Sequence, residues 1–153
     1  MNIDIVDGDL LDQNVEAIVN AWNRNIIPWW LLLPHGVSSA IKKRGGIKPF
    51  QEIGMKPLSL GEARLTTAGK LPFKAIIHVA AINAWWRASE YSIRAGVCSA
   101  MKIVDEEKFA SVAFPLLGSG AGSFNADKSL ELMRDELSRI ESAAHVVVVR
   151  FRK

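Results

Sequence analysis

Short apolar runs alternate with segments of helical period along this chain, and that alternation restricts the fold more than any other feature. Lys74-Ala-Ile-Ile-His-Val-Ala80 is nearly continuous in apolar residues, and positions 146–149 are four valines at the centre of the run 145–151. Runs of this length predict strands covered on both faces. Ser111-Val-Ala-Phe-Pro115 is a shorter buried strand closed by proline. Residues 15–20 read as another, and the adjacent Ile18 and Val19 predict burial on both sides. Residues 1–6 and 62–67 alternate apolar with polar side chains, the period of half-buried strands, the second an edge strand.

Between the strands the period changes. Residues 36–44 predict a short helix with Val37, Ala40 and Ile41 on one face and Lys42, Lys43 and Arg44 towards solvent. Gly45-Gly46 stops it. Residues 89–107 predict a second helix, with Tyr91, Ala95, Cys98, Met101 and Val104 recurring at helical spacing. Ala126, Leu130, Met133, Leu137 and Ile140 make a third stripe, and Asn125 is placed to cap it. Residues 21–34 keep no period and read as a long loop, a type usually functional or disordered. Strands alternating with helices predict the α/β class, a sandwich with helices on both faces of one sheet.

Composition bounds the function classes. The 153 residues are 49% apolar and 23% charged, the mixture of an ordinary globular chain, here taken as one domain over residues 1–153. No apolar run reaches the roughly eighteen residues of a spanning helix, so no membrane partner is expected. The N-terminal residues carry acid and no long apolar stretch, unlike a secretory signal. A single cysteine, Cys98, fits a reducing compartment, and the expected localisation is cytoplasmic. No metal-ligand spacing is visible, and no cofactor is implied. The net charge of +3 weakly favours anionic ligands and is too small to argue nucleic-acid binding.

The strongest local feature lies between the strand at 111–115 and the capped helix: Leu116-Leu-Gly-Ser-Gly-Ala-Gly-Ser-Phe124. Its three glycines let the backbone turn tightly and present successive N–H groups to an anion, and the following helix start adds partial positive charge. It is neither a Walker A loop, since no Gly-Lys-Ser/Thr follows, nor the dinucleotide fingerprint, since Ser123 stands at the third glycine. Gly36-Val-Ser38 opens the first helix and offers a second set of backbone donors. Asp9, after the first strand, reads either as an acceptor for an exocyclic amine or as a turn aspartate bonded to its own backbone.

In order along the chain, these pieces resemble the macrodomain family. Gly8-Asp9-Leu10 is similar to its Gly-Asp-Ile, and Val15-Glu-Ala-Ile-Val-Asn-Ala-Trp-Asn23 to its Val-Asp-Ala-Ile-Val-Asn-Ala-Ala-Asn. Gly36-Val-Ser-Ser-Ala-Ile41 is similar to the end of its first glycine loop, and Phe114-Pro-Leu-Leu-Gly-Ser-Gly-Ala-Gly-Ser-Phe124 to its second. Gly61-Glu-Ala-Arg-Leu-Thr66 and Ile77-His78 match two further patterns. The resemblance implies a three-layer α/β/α sandwich around a mixed six-stranded sheet, with ADP-ribose or a small derivative bound between two phosphate loops. Carried over by position, it implies that Asp9 accepts from the adenine amine, with Leu10 beside it and Phe151 against the ring. Gly36, Val37 and Ser38 would hold one side of the diphosphate through backbone N–H groups. Ser119, Gly120, Ala121, Gly122, Ser123 and Phe124 would hold the other, with Phe124 on the ribose, and Asn23 would bond the distal ribose.

Some residues depart from the family pattern. Leu33-Pro-His-Gly36 keeps only the last glycine of the first loop, and Ser38 stands where MacroD-type hydrolases carry aspartate. The candidates for a catalytic group are Asn23 and His35. His78 reads as a satisfied core histidine and His145 as an exposed one. The loop at 21–35 is expected to wall the distal ribose, with Asn23 as polar contact and Trp29 or Trp30 at the pocket mouth. Trp85-Trp86 stands in a second loop, and Trp22 replaces an alanine. The leading expectation is a module binding free or protein-linked ADP-ribose. The alternative is a hydrolase acting on ADP-ribosyl-protein, O-acetyl-ADP-ribose or a terminal phosphate of ADP-ribose. A nucleic-acid binder ranks third.

Overall fold

The computed structural model describes residues 1–31, 36–120 and 124–151. The strands are β1 (Asn2–Gly8), β2 (Ala17–Trp22), β3 (Ala63–Thr66), β4 (Ala75–Ala80), β5 (Ser111–Pro115) and β6 (His145–Phe151). The helices are α1 (Gly36–Gly45), α2 (Lys48–Ile53), α3 (Glu90–Glu106) and α4 (Ala126–Ser138), with a 3-10 turn at Leu10–Asp12.

All six strands join one sheet in the order β1-β6-β5-β2-β4-β3. Every pairing is parallel except β3 with β4, so β3 is the antiparallel edge strand. The mixed α/β sandwich predicted from the sequence is the observed fold.

Period-two side chains split the apolar residues between two cores. On one face Val19, Ile77, Val79, Phe114, Val146 and Val148 pack under α3 and α4. On the other Ile18, Ile76, Ala113 and Val147 pack under Ile41 of α1 and Phe50 and Ile53 of α2. Ile18 and Val19 thus point into opposite cores, both fully buried, as their adjacency predicts.

The third helix corrects the predicted stripe. Tyr91 and Cys98 are exposed, and the buried face of α3 is Ile93, Gly96, Val97, Ala100, Met101 and Val104. Gly96 explains the shift, because a Cβ there would stand 2.6 Å from Val79 Cγ1, so the helix seats its glycine against β4. In α4, Leu132, Met133 and Leu137 are buried, Ala126 is exposed, and Ile140 lies beyond the helix end. Asn125 does cap α4, its side chain accepting from the Lys128 N–H at 3.0 Å. His145 is paired with Asp4, Nε2 to Oδ2 at 2.6 Å, instead of standing alone in solvent. Among the described residues no helix is long and apolar enough to cross a membrane.

Candidate functional site

Parallel strands end together, and open α/β sheets bind ligands at those carboxyl ends. A cleft of about 350 Å³ lies there. It is lined by Asp9, Leu10 and Leu11 after β1, Ala21 and Trp22 of β2, and Ala81 and Ile82 after β4. Pro115, Leu116, Gly118, Ser119 and Gly120 follow from β5, with Val149 and Phe151 of β6 and Gly36, Val37 and Ala40 of α1.

At one end Gly8, at φ +151°, turns the chain out of β1 opposite Phe151 of β6. Asp9 then caps the 3-10 turn: its Oδ1 accepts from the Leu11 N–H at 2.8 Å. Its Oδ2 lies 3.7 Å from Arg44 Nη1 of α1. Leu10 and Leu11 are buried, while Phe151 is 69% exposed and presents its ring at the rim.

In the middle two backbone turns approach. Gly36 starts α1 at φ +55°, a left-handed conformation suited to glycine, and a Cβ there would meet nothing within 4 Å. The positive end of α1 is therefore at the cleft, and Lys42, Lys43 and Arg44 sit at its opposite end. Facing it is the loop after β5. Gly118 holds φ +77°, and a Cβ on it would stand 2.4 Å from that of Ala88. Ser119 Oγ donates to the Leu116 carbonyl at 3.0 Å, and the Phe124 N–H donates to the Gly118 carbonyl at 2.9 Å. That last bond closes the loop on itself. Gly120 has open space where a Cβ would go.

Several predicted site residues thus meet in one cleft: Asp9, Leu10, Gly36, Val37, Ser119, Gly120 and Phe151. His35, Ala121, Gly122 and Ser123 lie outside the described residues. Asn23 does not line the cleft; its Oδ1 accepts from the Asn25 N–H at 2.6 Å, an Asx turn that folds the side chain onto its own backbone. Ser38 turns its hydroxyl away, donating to Asn20 Oδ1 at 2.9 Å. Phe124 is half-buried against the α3/α4 core. Trp29 packs on the opposite core and Trp30 is exposed, and neither is among the residues lining the cleft.

Trp22 does line the cleft. It is 4% exposed, tilts against Phe50 with ring centroids 5.3 Å apart, and donates its indole N–H to Asn25 Oδ1 at 3.3 Å. Asn25 in turn donates to the Gly54 and Lys56 carbonyls, both at 3.0 Å, and so pins the chain after β2 to the chain after α2. Sequence reasoning also misses Ala81 and Ile82, for which a position just past β4 is the available signal. Ser92 Oγ fixes that edge, donating to the Ala81 carbonyl at 2.8 Å.

The lining is mostly apolar. Among its described side chains only Asp9 and Ser119 carry oxygen, and both already serve the local backbone. Among the described residues no cluster of His, Cys, Asp and Glu is arranged to hold a metal. The cleft is thus largely apolar, with Asp9, the start of α1 at Gly36 and the Gly118–Gly120 turn in its lining.

The Macro domain family model matches residues 19–133. The chain belongs to the Macro domain family. A relative from Aquifex aeolicus is 33% identical over 143 residues, covering 92% of this Macro domain and 84% of the relative. A Shigella flexneri protein named O-acetyl-ADP-ribose deacetylase is 30% identical over 141 residues, covering 85% of this chain and 75% of its own. The fold is shared with an Oceanobacillus iheyensis macrodomain variant solved with ADP-ribose, at TM-score 0.80 and 22% identity over 97% of this chain and 84% of that one.

Proposed function

We propose that this Macro domain binds ADP-ribose, or a small derivative of it, in the cleft at the strand ends. The observation that carries the reading is the convergence of Asp9, the Gly36 turn and the Gly118–Gly120 turn on one cavity. Adenine lies between Leu10 and Phe151, its amine donating to Asp9, since a carboxylate accepts and selects an amino group. The diphosphate lies across the start of α1, meeting the backbone N–H groups of Gly36, Val37 and Ser38 on one side. The loop from Ser119 to Phe124 meets it on the other, and the helix end favours its charge.

Titration calorimetry with ADP-ribose tests this. Asp9→Ala leaves the adenine amine without its charged acceptor, which costs roughly 1.5–3 kcal/mol, a weakening of about tenfold or more. Asp9→Ser keeps a capping oxygen for the 3-10 turn while losing the reach, and is expected to weaken binding with little change in melting temperature. Unchanged affinity in both variants removes Asp9 from the site.

ADP-ribose attached to a protein offers the same chemistry. Titration with a mono-ADP-ribosylated peptide separates the two sources, and free ADP-ribose is expected to bind at least as tightly. The second reading is hydrolysis of O-acetyl-ADP-ribose, favoured by the name of the Shigella relative. Release of ADP-ribose from the acetyl ester, followed by chromatography, decides it. Binding ranks first because Asp9 is committed to the adenine end, and the described lining holds no other carboxylate or imidazole to activate water.

A further inference from the structure

A line of four buried polar side chains crosses the sheet beneath α1 and α2. Ser38 of α1, Asn20 of β2, His78 of β4 and Thr66 of β3 are each at most 6% exposed. Ser38 Oγ lies 2.9 Å from Asn20 Oδ1, Asn20 Nδ2 lies 3.0 Å from His78 Nδ1, and His78 Nε2 lies 2.8 Å from Thr66 Oγ1. Thr66 Oγ1 ends the line on the Thr67 carbonyl at 3.0 Å.

That carbonyl fixes the direction of every bond. It only accepts, so the Thr66 hydroxyl donates to it and receives from His78 Nε2–H. The imidazole is neutral, since burial, with the Arg64 charge adding to it, pushes its pKa down to about 3. His78 Nδ1 is then an acceptor, and Asn20 must turn its amide nitrogen towards it. The Asn20 oxygen is left facing Ser38, which donates. Each polar atom has a partner, and one arrangement satisfies them all.

We propose that this chain is a positioning device for the diphosphate end of the cleft: it ties the first turn of α1 to the sheet and so fixes the backbone N–H groups of Gly36, Val37 and Ser38. The inference rests on the ADP-ribose reading for its ligand. Three facts support it. The Ser38–Asn20 bond joins α1 to a strand two residues after the cleft-lining Gly36. The core around it is apolar apart from the Arg64 charge, with the Phe50 ring 6.0 Å from that of His78, so a hydrophobic row would have filled the same space. And the Ser38 hydroxyl is committed to the interior, leaving only its backbone N–H for the ligand.

The test breaks the chain at His78, which does not line the cleft. His78→Leu removes the acceptor for Asn20, and His78→Gln restores an acceptor and a donor at similar spacing. Expected for His78→Leu is about fivefold weaker ADP-ribose binding, the worth of one neutral hydrogen bond, with adenosine binding by NMR titration unchanged and with His78→Gln recovering most of the loss. Ser38→Ala, the smaller change, is expected to match His78→Leu and guards against a variant that fails to fold. Equal loss for adenosine and ADP-ribose, or no loss for either, overturns the proposal. The amide NMR signals of residues 36–38 give a reading that needs no ligand: they shift in His78→Leu and return in His78→Gln. Fixed signals overturn the positioning role, whereas wild-type protein that binds no ADP-ribose while those signals shift overturns the ligand and keeps the chain.

Discussion

Gly118 and Gly120 stand two residues apart in one loop and answer to different constraints. At Gly118 the backbone is left-handed and a Cβ would collide with Ala88, so the fold itself demands glycine. At Gly120 neither holds. Gly118→Ala is therefore expected to cost roughly 1–3 kcal/mol of stability, read as a lower thermal midpoint. Gly120→Val is expected to melt near the wild-type temperature and to lose ADP-ribose binding, because its side chain enters the space beside Gly36 and Ser119. A normal titration with Gly120→Val places the phosphate cradle elsewhere. The sequence ranks the loop glycines alike, since spacing says where a chain turns and not which turn a neighbour crowds. Asp9 shows the same limit: the cap and the candidate acceptor are one side chain, and both sequence readings describe it. Asn23 carries a family motif, yet a bond to a backbone N–H two residues on decides where its oxygen points.

Elements are legible wherever an apolar run is long enough to show its period. β4, β5 and β6 appear in the sequence almost to the residue, because fully buried parallel strands need unbroken apolar runs. α2 leaves no such trace: it has six residues and opens with Lys48 and Pro49, too short for a helical repeat. The periodicity of α3 gives its place along the chain and Met101 and Val104 of its buried face, but sets Tyr91 and Cys98 where Ile93 and Val97 lie, since a glycine on that face looks blank to any hydrophobic count. α4 reads most clearly, its start fixed by a side-chain cap instead of by hydrophobicity. Removing that cap in Asn125→Ala frees the Lys128 N–H and costs about 1 kcal/mol. For a chain of this size that lowers the melting midpoint by roughly 2–4 °C. An unchanged midpoint means that water replaces the cap fully.

At the scale of the whole molecule, the strand order β1-β6-β5-β2-β4-β3 is beyond the sequence's own periodicity, because crossovers leave no local mark. Its consequence is the site: five parallel strands ending on one edge bring Asp9, Trp22, Ile82, Ser119 and Phe151 together from distant positions. The same sheet encloses His78, and that enclosure has a pH signature. Folded His78 titrates at about 3, below its ordinary 6.5, because burial disfavours the charged ring. Between those values the unfolded chain holds a proton that the folded chain refuses, so stability falls as pH drops below 6.5, by up to about 1.4 kcal/mol per pH unit. Above 6.5 both states are neutral at this residue and the term vanishes. Carboxylates such as Asp135, held low by its hydrogen bond to Arg94, add their own loss in more acid solution. His78→Gln isolates the histidine, since a glutamine does not titrate and keeps the hydrogen bonds. Denaturant unfolding of both proteins from pH 7.5 to pH 4.5 should show the wild type losing about 2–3 kcal/mol more than the variant, nearly all of it below pH 6.5. Parallel curves would mean that His78 takes up its proton in the folded sheet as readily as in the unfolded chain.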